Sequence, residues 1–396
     1  MIEIEPNMIM KVFNIFRKST LYYAHYRRIF KIFKGFNSPS YCEDKDKIKS
    51  KTSQFIDYLY LFFVLKILPS NYHLYCFDTK DRKQFKEYMG DTWEDPFTRK
   101  GITSLWKSGM MIRDKLIFKC ICEYHNIPVP RNYGIYRNGV FYGQGTDLKD
   151  LMLNNNLEKI VLKPILGLSG VGIQFISRYN LDSHETLVKA AKEEYIVEEV
   201  IEQHPELEKI NPHSVNTVRV ITFLCPDGTV EFLATALKTS QSTVPVDNIG
   251  VGGIAIGINT ETGKLKKEGF VKFFAPNEVL DRKMTIDEET IKQIIKSVKK
   301  MELLYPGKIL IKHPITQTEF LNLQIPYWDE LKEIAIKAQK VFCHGKTIAW
   351  DIAITPKSPV IIEGNEGWST GFQSVAGGFL NAKNRRLFAL YGISFY

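Results

Sequence analysis

Apolar positions fall into two regimes that meet near residue 100. Before it, hydrophobic and aromatic side chains cluster at helical spacing; after it, short apolar runs of strand length alternate with helical stretches. In the first regime, Tyr58-Leu-Tyr-Leu-Phe-Phe-Val-Leu65 is too short to span a bilayer, which takes about 20 apolar residues, and it predicts a buried helix. In the second, apolar positions 112, 116, 117, 120 and 121 predict a helix over 113–125. Asn126-Ile-Pro-Val-Pro130 ends it, because a residue before proline avoids the helical region. A strand over Tyr133–Tyr136 leads into a hairpin turn at Asn138-Gly139. Further strands are predicted around Ile160–Lys163, Tyr195–Ile201 and Asn216–Leu224, and a hairpin turn at Glu261-Thr-Gly-Lys264. The last pair flanks the turn Thr355-Pro-Lys-Ser-Pro359. The alternation predicts an α/β or α+β domain.

Composition adds scale and location. With 396 residues, 44% hydrophobic and 24% charged, the chain is globular and long enough for two or three domains. Its six cysteines contain no Cys-x-x-Cys pair, which fits reduced thiols in a cytosolic protein. The start, Met-Ile-Glu-Ile-Glu-Pro, lacks the basic and apolar runs of a signal peptide, so none is expected. No segment is long and apolar enough to be read as transmembrane.

Charge is unevenly placed. Residues 1–125 hold 22 Lys+Arg against 14 Asp+Glu, which accounts for eight of the net +9. In the first 40 residues the basic side chains interleave with eight Phe and Tyr. Three readings are open: a helix whose aromatic face packs on the main domain, a basic amphipathic helix on an anionic membrane, or a site for an anionic polymer, nucleic acid included.

Candidate chemistry lies after residue 110. If the final hairpin is centred on Lys357, Asp351 stands opposite Glu363, and Asn365 shares the face of Glu363 because faces alternate along a strand. Two carboxylates and an amide on one spot suit a hard cation such as Mg²⁺; a capped turn beside a solvated strand end is the bland alternative. Upstream, Lys163 sits on a strand before a loop with Gly167, Ser169, Gly170 and Gly172. Glycines let backbone N–H groups approach phosphate oxygens while a lysine supplies charge; a plain structural turn is the other reading. The loop is neither a Walker loop nor a dinucleotide fingerprint, since it lacks Gly-Lys-Ser/Thr and leads into a strand. Glu198-Glu-Val-Ile201 has the look of a nucleotide hinge, offering backbone groups to an adenine edge and a carboxylate to a ribose. Asn216 and Arg219 open a strand from which an arginine clamps an anion or pairs with a carboxylate.

The order of these pieces resembles the ATP-grasp superfamily across roughly residues 100–380, from Asp114-Lys115 through Val-Leu-Lys163-Pro to Glu363-Gly-Asn365. Within it, Asn-Pro-His-Ser-Val-Asn-Thr-Val-Arg219, Asp247-Asn-Ile-Gly-Val-Gly-Gly-Ile254 and Trp350-Asp-Ile-Ala-Ile-Thr355 are similar to the sugar-transfer-associated members. The resemblance implies an α+β fold with two subdomains clamping ATP; charge and apolar spacing place a mostly helical basic region over 1–100 before it. The ATP-grasp domain then covers 101–396, with a lid subdomain over about 126–200 and a metal-binding subdomain over about 201–396.

The resemblance also assigns roles. Lys115 and Lys163 match the lysines on the nucleotide α- and β-phosphates. Gly167, Ser169, Gly170 and Gly172 match the lid loop, and Glu198, Glu199, Val200 and Ile201 the adenine hinge. Asp351, Glu363 and Asn365 match the Mg²⁺ ligands, a place Mn²⁺ can also take. Arg219, with Lys163, fits the catalytic charge on phosphate or acylphosphate, although ligases of this superfamily often place that arginine elsewhere. The usual ribose glutamate a few residues past the hinge has no clear match among Glu202, Pro205 and Glu206. The implied activity is carboxylate–amine ligation through an acylphosphate, on small molecules that include sugar-linked precursors of surface polysaccharide. Two rival activities are an ATP-dependent phosphotransferase on the same fold and a non-catalytic ATP-binding subunit of a polysaccharide assembly complex. The expected location is cytoplasmic, with peripheral contact of residues 1–40 with the inner membrane face left as one of the open readings and no nucleic acid expected.

Overall fold

A computed structural model describes residues 36–65, 67, 69–90, 109–166, 172–181, 194–243, 247–272, 274 and 307–395. The basic-aromatic segment up to residue 35, and Gly167, Ser169 and Gly170 of the glycine loop, lie outside the described residues.

Two antiparallel sheets organise the chain. The first holds β1 (Asn132–Arg137), β2 (Val140–Gly143), β3 (Lys159–Pro164), β4 (Gln174–Ser177) and β5 (Tyr195–Glu199) in the order β2-β1-β5-β3-β4. The second holds β6 (Thr217–Leu224), β7 (Val230–Thr239), β8 (Ile254–Ile258), β9 (Leu265–Val271), β10 (Lys308–Leu310), β11 (Thr347–Ile354) and β12 (Pro359–Asn365), ordered β10-β9-β8-β7-β6-β11-β12. Among the described residues every strand pair is antiparallel. That selects α+β over the βαβ alternation of a parallel sheet.

Local chemistry places the turns. Asn138 and Gly139 both take positive φ, 52° and 79°, the backbone a two-residue hairpin needs for its twist to match the strands. Gly263, at φ +72°, closes the predicted turn between β8 and β9.

Strand β11 is buried at every position, because the seven-stranded sheet is covered on both faces. Ile348, Trp350 and Ile352 face a core with Phe118, Leu331, Ala335 and Phe342. Ala349 faces the opposite core, with Ile221, Trp368, Phe379 and Phe388. Odd-numbered β11 residues therefore point to the Ala349 side, and Asp351 is one of them.

The predicted helix over 113–125 forms over Lys115–Tyr124, starting two residues later than expected. Met110–Arg113 forms one short turn, and Asp114 leaves the helical region to cap Lys115–Tyr124, accepting from the Leu116 and Ile117 N–H groups, both at 3.0 Å. Its buried face is Phe118, Lys119 and Cys122, whereas Ile117 and Cys120 are exposed. The apolar stripe at 117 and 120 therefore misdirects the helix. Counting apolar residues alone overlooks a lysine that is buried because a carboxylate waits for it.

The N-terminal run also folds as helix, but only in part as predicted. Lys51–Leu59 continues into a wider π-turn, Tyr60–Val64. Tyr58, Leu61, Phe62 and Leu65 enter an aromatic core with Tyr72, Tyr75, Phe77 and Phe85, while Phe63 and Val64 stay exposed. This core is fastened to the C-terminal part of the chain. Tyr75 Oη donates to Thr370 Oγ1 at 3.0 Å, and the Gln373 side chain satisfies both the N–H and the C=O of Met89. Among the described residues, no helix is long and apolar enough to cross a membrane.

Candidate active site

The hairpin β11–β12 sets one end of the site. Asp351 is directly opposite Glu363, but the symmetry differs from a plain hairpin about Lys357. Near the turn Ile354 faces Pro359 and Ile352 faces Ile361, and a bulge at Ile362 then adds the residue that brings Glu363 across from Asp351. Without that bulge Asp351 would oppose Ile362. Bulges recur where a sheet must re-aim a side chain.

Register extends the row. Arg219 on β6 lies opposite Asp351 on its other side, and Ala236 on β7 lies opposite Arg219. Arg219, Asp351 and Glu363 thus form one line across three neighbouring strands. Arg219 Nε and Nη2 donate to Asp351 Oδ1 and Oδ2 at 2.5 and 2.6 Å, a two-point pair that fixes the guanidinium plane. The Phe372 ring, centred 5.3 Å from the guanidinium carbon, supports it. Lys238, two residues past Ala236 and so on the same face, reaches Asp351 Oδ2 at 3.0 Å and Asp247 Oδ2 at 3.6 Å. Thr217 donates its hydroxyl to Asp247. Asn365 Nδ2 donates to Glu363 Oε1 at 3.2 Å.

Charge is distributed unequally among the three carboxyls. Burial opposes ionisation of Asp351, but Arg219 and Lys238 hold it well below the usual carboxylate range. Glu363 is pushed up by burial and by the adjacent Asp351 charge. Asp247 is pushed up by burial, against the pull of Lys238.

The other end of the site is built from lysines. Lys163, on β3, pairs with Glu198 Oε2 at 2.8 Å, and Lys119 takes Glu198 Oε1 at 2.7 Å. Lys119 Nζ also donates to the Pro130 carbonyl. Lys115, one helical turn before Lys119, is tied to the end of β3: its N–H donates to the Ile165 carbonyl at 3.2 Å and its Nζ to the same oxygen at 3.5 Å. Burial lowers the Lys115 pKa, and Glu363 and Glu198 attract its charge while Lys163 repels it. Lys115 therefore feels charged groups of both sheets.

The hinge residues divide. The Glu198 carboxylate faces inward to the two lysines. Glu199 accepts from the Arg131 N–H at 2.7 Å through its side chain and donates its own N–H to the Arg131 carbonyl at 3.0 Å. Val200 and Ile201 follow β5, half-buried. Gly172, the described member of the glycine loop, has φ +76°. Asn216 is structural: its side chain donates to the Leu207 and Asn211 carbonyls at 2.8 and 3.0 Å. Lys119 and Lys238 escape a reading of the sequence, and Asp247 enters it only as the first residue of a family-like phrase, with no role given to its carboxylate. The only signal for Lys119 is its spacing of four from Lys115, which puts both on one helical face.

Two kinds of ligand suit these groups. Asp351, Glu363 and Asn365 offer two carboxylates and an amide on adjoining strands, the oxygen donors of a hard divalent cation that phosphates complete. Among the described residues no set of three or more His, Cys, Asp and Glu forms a metal site by itself, so such an ion would depend on its partner ligand. Lys115, Lys119 and Lys163 around Glu198 leave a positive surplus next to that row, which suits phosphate.

Comparison with known proteins gives an extended family match. The family described as sugar-transfer associated ATP-grasp matches residues 106–281 and 292–385. Among solved structures, D-alanine–D-alanine ligase from Bacillus anthracis with ATP shares 13% identity at a TM-score of 0.34, covering 67% of this chain and 57% of that one. N5-carboxyaminoimidazole ribonucleotide synthetase from Thermotoga maritima shares 14% at 0.33, covering 69% and 50%. The biotin carboxylase–β,γ-ATP complex from Campylobacter jejuni shares 12% at 0.38, covering 79% and 53%. The chain thus spans about half the length of these structures. No curated protein sequence matches it.

Proposed function

The chain belongs to the sugar-transfer-associated ATP-grasp family, and from that premise we propose that it is an ATP- and Mg²⁺-dependent ligase joining a carboxylate to an amine. The observation that carries the reading is the row Arg219–Asp351–Glu363, with Asn365 beside it and Lys115 within electrostatic reach of both Glu363 and the Lys163–Glu198 pair.

Asp351, Glu363 and Asn365 would hold Mg²⁺, or Mn²⁺ in its place. Once bound, the ion would supply neutralising charge to phosphate oxygens. Lys115 and Lys163 hold the α- and β-phosphates. Val200 and Ile201, beyond β5, offer backbone groups to the adenine, while Glu198 and Glu199 brace that hinge from within. Arg219, gripped by Asp351 along one edge, turns its other edge to the transferring phosphoryl group and the acylphosphate formed when the acceptor carboxylate attacks γ-phosphorus. An amine then displaces phosphate and leaves an amide. Catalysis of this kind is positioning and electrostatics, and no nucleophilic Ser or Cys is required. The glycine loop ending at Gly172, in a lid subdomain built on the first sheet, keeps water from the acylphosphate.

The substrates are small molecules, one of them a sugar or a precursor of cell-surface polysaccharide, in keeping with the family description. The protein works in the cytoplasm, and residues 1–40 bring it to the anionic inner face of the membrane. An ADP-release screen of amino acids against uronic acids and nucleotide-linked sugars tests the activity. ADP and phosphate should appear only with both an acceptor acid and an amine present. Phosphate retained on a single acceptor would instead make the chain a kinase, and no ADP release with any pair would leave it a binding protein.

A further inference from the structure

Lys119 is a buried lysine outside the phosphate contacts. Only 2% of it is exposed, and its ammonium is spent on Glu198 Oε1 and the Pro130 carbonyl. Its helix faces two ways. Phe118 stacks on Phe342 and Trp350 in the core of the seven-stranded sheet, at 5.3 and 6.5 Å between ring centres. Lys119, the next residue, reaches into the five-stranded sheet. Glu198 stands opposite Val161 there, two residues before Lys163 on β3. Burial pushes Glu198 towards neutrality, yet Lys163 and Lys119 together hold its carboxyl below the ordinary range.

We propose that Lys119 is a positioning residue for nucleotide binding: by occupying one oxygen of Glu198 it leaves Lys163 oriented but only half-compensated, so that a net positive charge remains for phosphate. This rests on the reading of Lys163 as a phosphate ligand. The bookkeeping is simple. Two lysines on one carboxylate carry a surplus of one positive charge, whereas Lys163 and Glu198 without Lys119 sum to zero. In a buried setting that difference is strongly felt by an approaching anion. The same contact links the sheet that carries Lys163 and Glu198 to the sheet that carries Asp351 and Glu363, because the helix is packed into the latter's core.

ATP affinity, measured by calorimetry with Mg²⁺ on the full chain, tests the assignment in K119M, K119M/E198Q and K163M. K119M should bind ATP about ten-fold or more weakly, the scale of one charged hydrogen bond. The double variant removes one positive and one negative charge and restores the surplus, so it should recover most of the lost affinity. A purely structural lysine predicts the opposite, since both changes disturb the same packing. If K119M binds ATP like wild type while K163M does not, Lys119 has no such role and the site reading stands. If K163M itself binds ATP like wild type, the phosphate site has been misassigned. Should K119M fail to fold, the double variant decides, because ATP binding as weak as that of K163M overturns the proposal.

Discussion

Arg219 and Asp351 face each other across β6 and β11 and meet through two parallel hydrogen bonds of 2.5 and 2.6 Å. Both side chains are nearly inaccessible, at 12% and 3% exposure, so each offsets a charge that burial would otherwise leave exposed to a low dielectric. Truncating Arg219 to alanine leaves Asp351 with Lys238 alone. The expected loss is about 3–5 kcal/mol of folding stability, typical for breaking a buried pair, together with loss of ADP release. Arg219→Lys keeps the charge but not the two-point geometry. It should retain more stability than activity, as read by urea unfolding beside the ADP assay.

Glu363 behaves differently. It is a buried carboxyl beside a charged one, and it is pushed up by that neighbourhood. Glu363→Gln replaces it with an amide that can donate to Asp351, so the thermal midpoint of the ligand-free protein should be no lower than wild type. ADP release should nonetheless be lost. An active E363Q protein would count heavily against Glu363 as a metal ligand.

Metal dependence follows from the same donors. With two carboxylates and an amide available and no further His, Cys, Asp or Glu completing a site among the described residues, Mg²⁺ should bind weakly alone and tightly with nucleotide. Calorimetric titration of Mg²⁺ with and without a non-hydrolysable ATP analogue measures this. Tight binding without nucleotide would contradict it.

A pH effect is expected in the N-terminal aromatic core. Burial disfavours the Asp78 charge, but hydrogen bonds from His73, at 3.0 Å, and from Ser40 hold its carboxyl below the ordinary value of 3.8. A depressed folded-state pKa contributes stability that is present above the unfolded value and lost as pH falls through the folded one. Wild-type urea midpoints should therefore fall on acidification below about pH 4. Asp78→Asn should be less stable at neutral pH and show a shallower decline over that acid range.

The basic-aromatic start can be tested without disturbing this core. Phe36 packs edge-on against Tyr58, with 5.3 Å between ring centres, so removing residues 1–35 leaves that contact in place. The truncated chain should sediment far less with anionic liposomes than the full chain. Equal sedimentation would place the membrane contact elsewhere or abolish it.

What the sequence determined by itself was local. Period-two alternation and turn chemistry located β1 and β2 about Asn138-Gly139, the strand bearing Lys163, and the hairpin that sets Asp351 opposite Glu363. These follow from short-range rules: which face a residue takes along a strand, and which residues tolerate positive φ. Tertiary structure decided the rest. Ile362 bulges so that the facing residue is Glu363. Lys119 is buried while Ile117 is exposed, because Glu198 lies 79 positions further along the chain. Lys238 joins Asp351 only through the order in which β7, β6 and β11 pair. A charged side chain can be buried where a counter-charge already waits, and that partner is supplied by distant strands. Spacing within the sequence therefore marked the strand ends of this site, while the ion pairs that give it its charge were fixed only by strand order and helix docking.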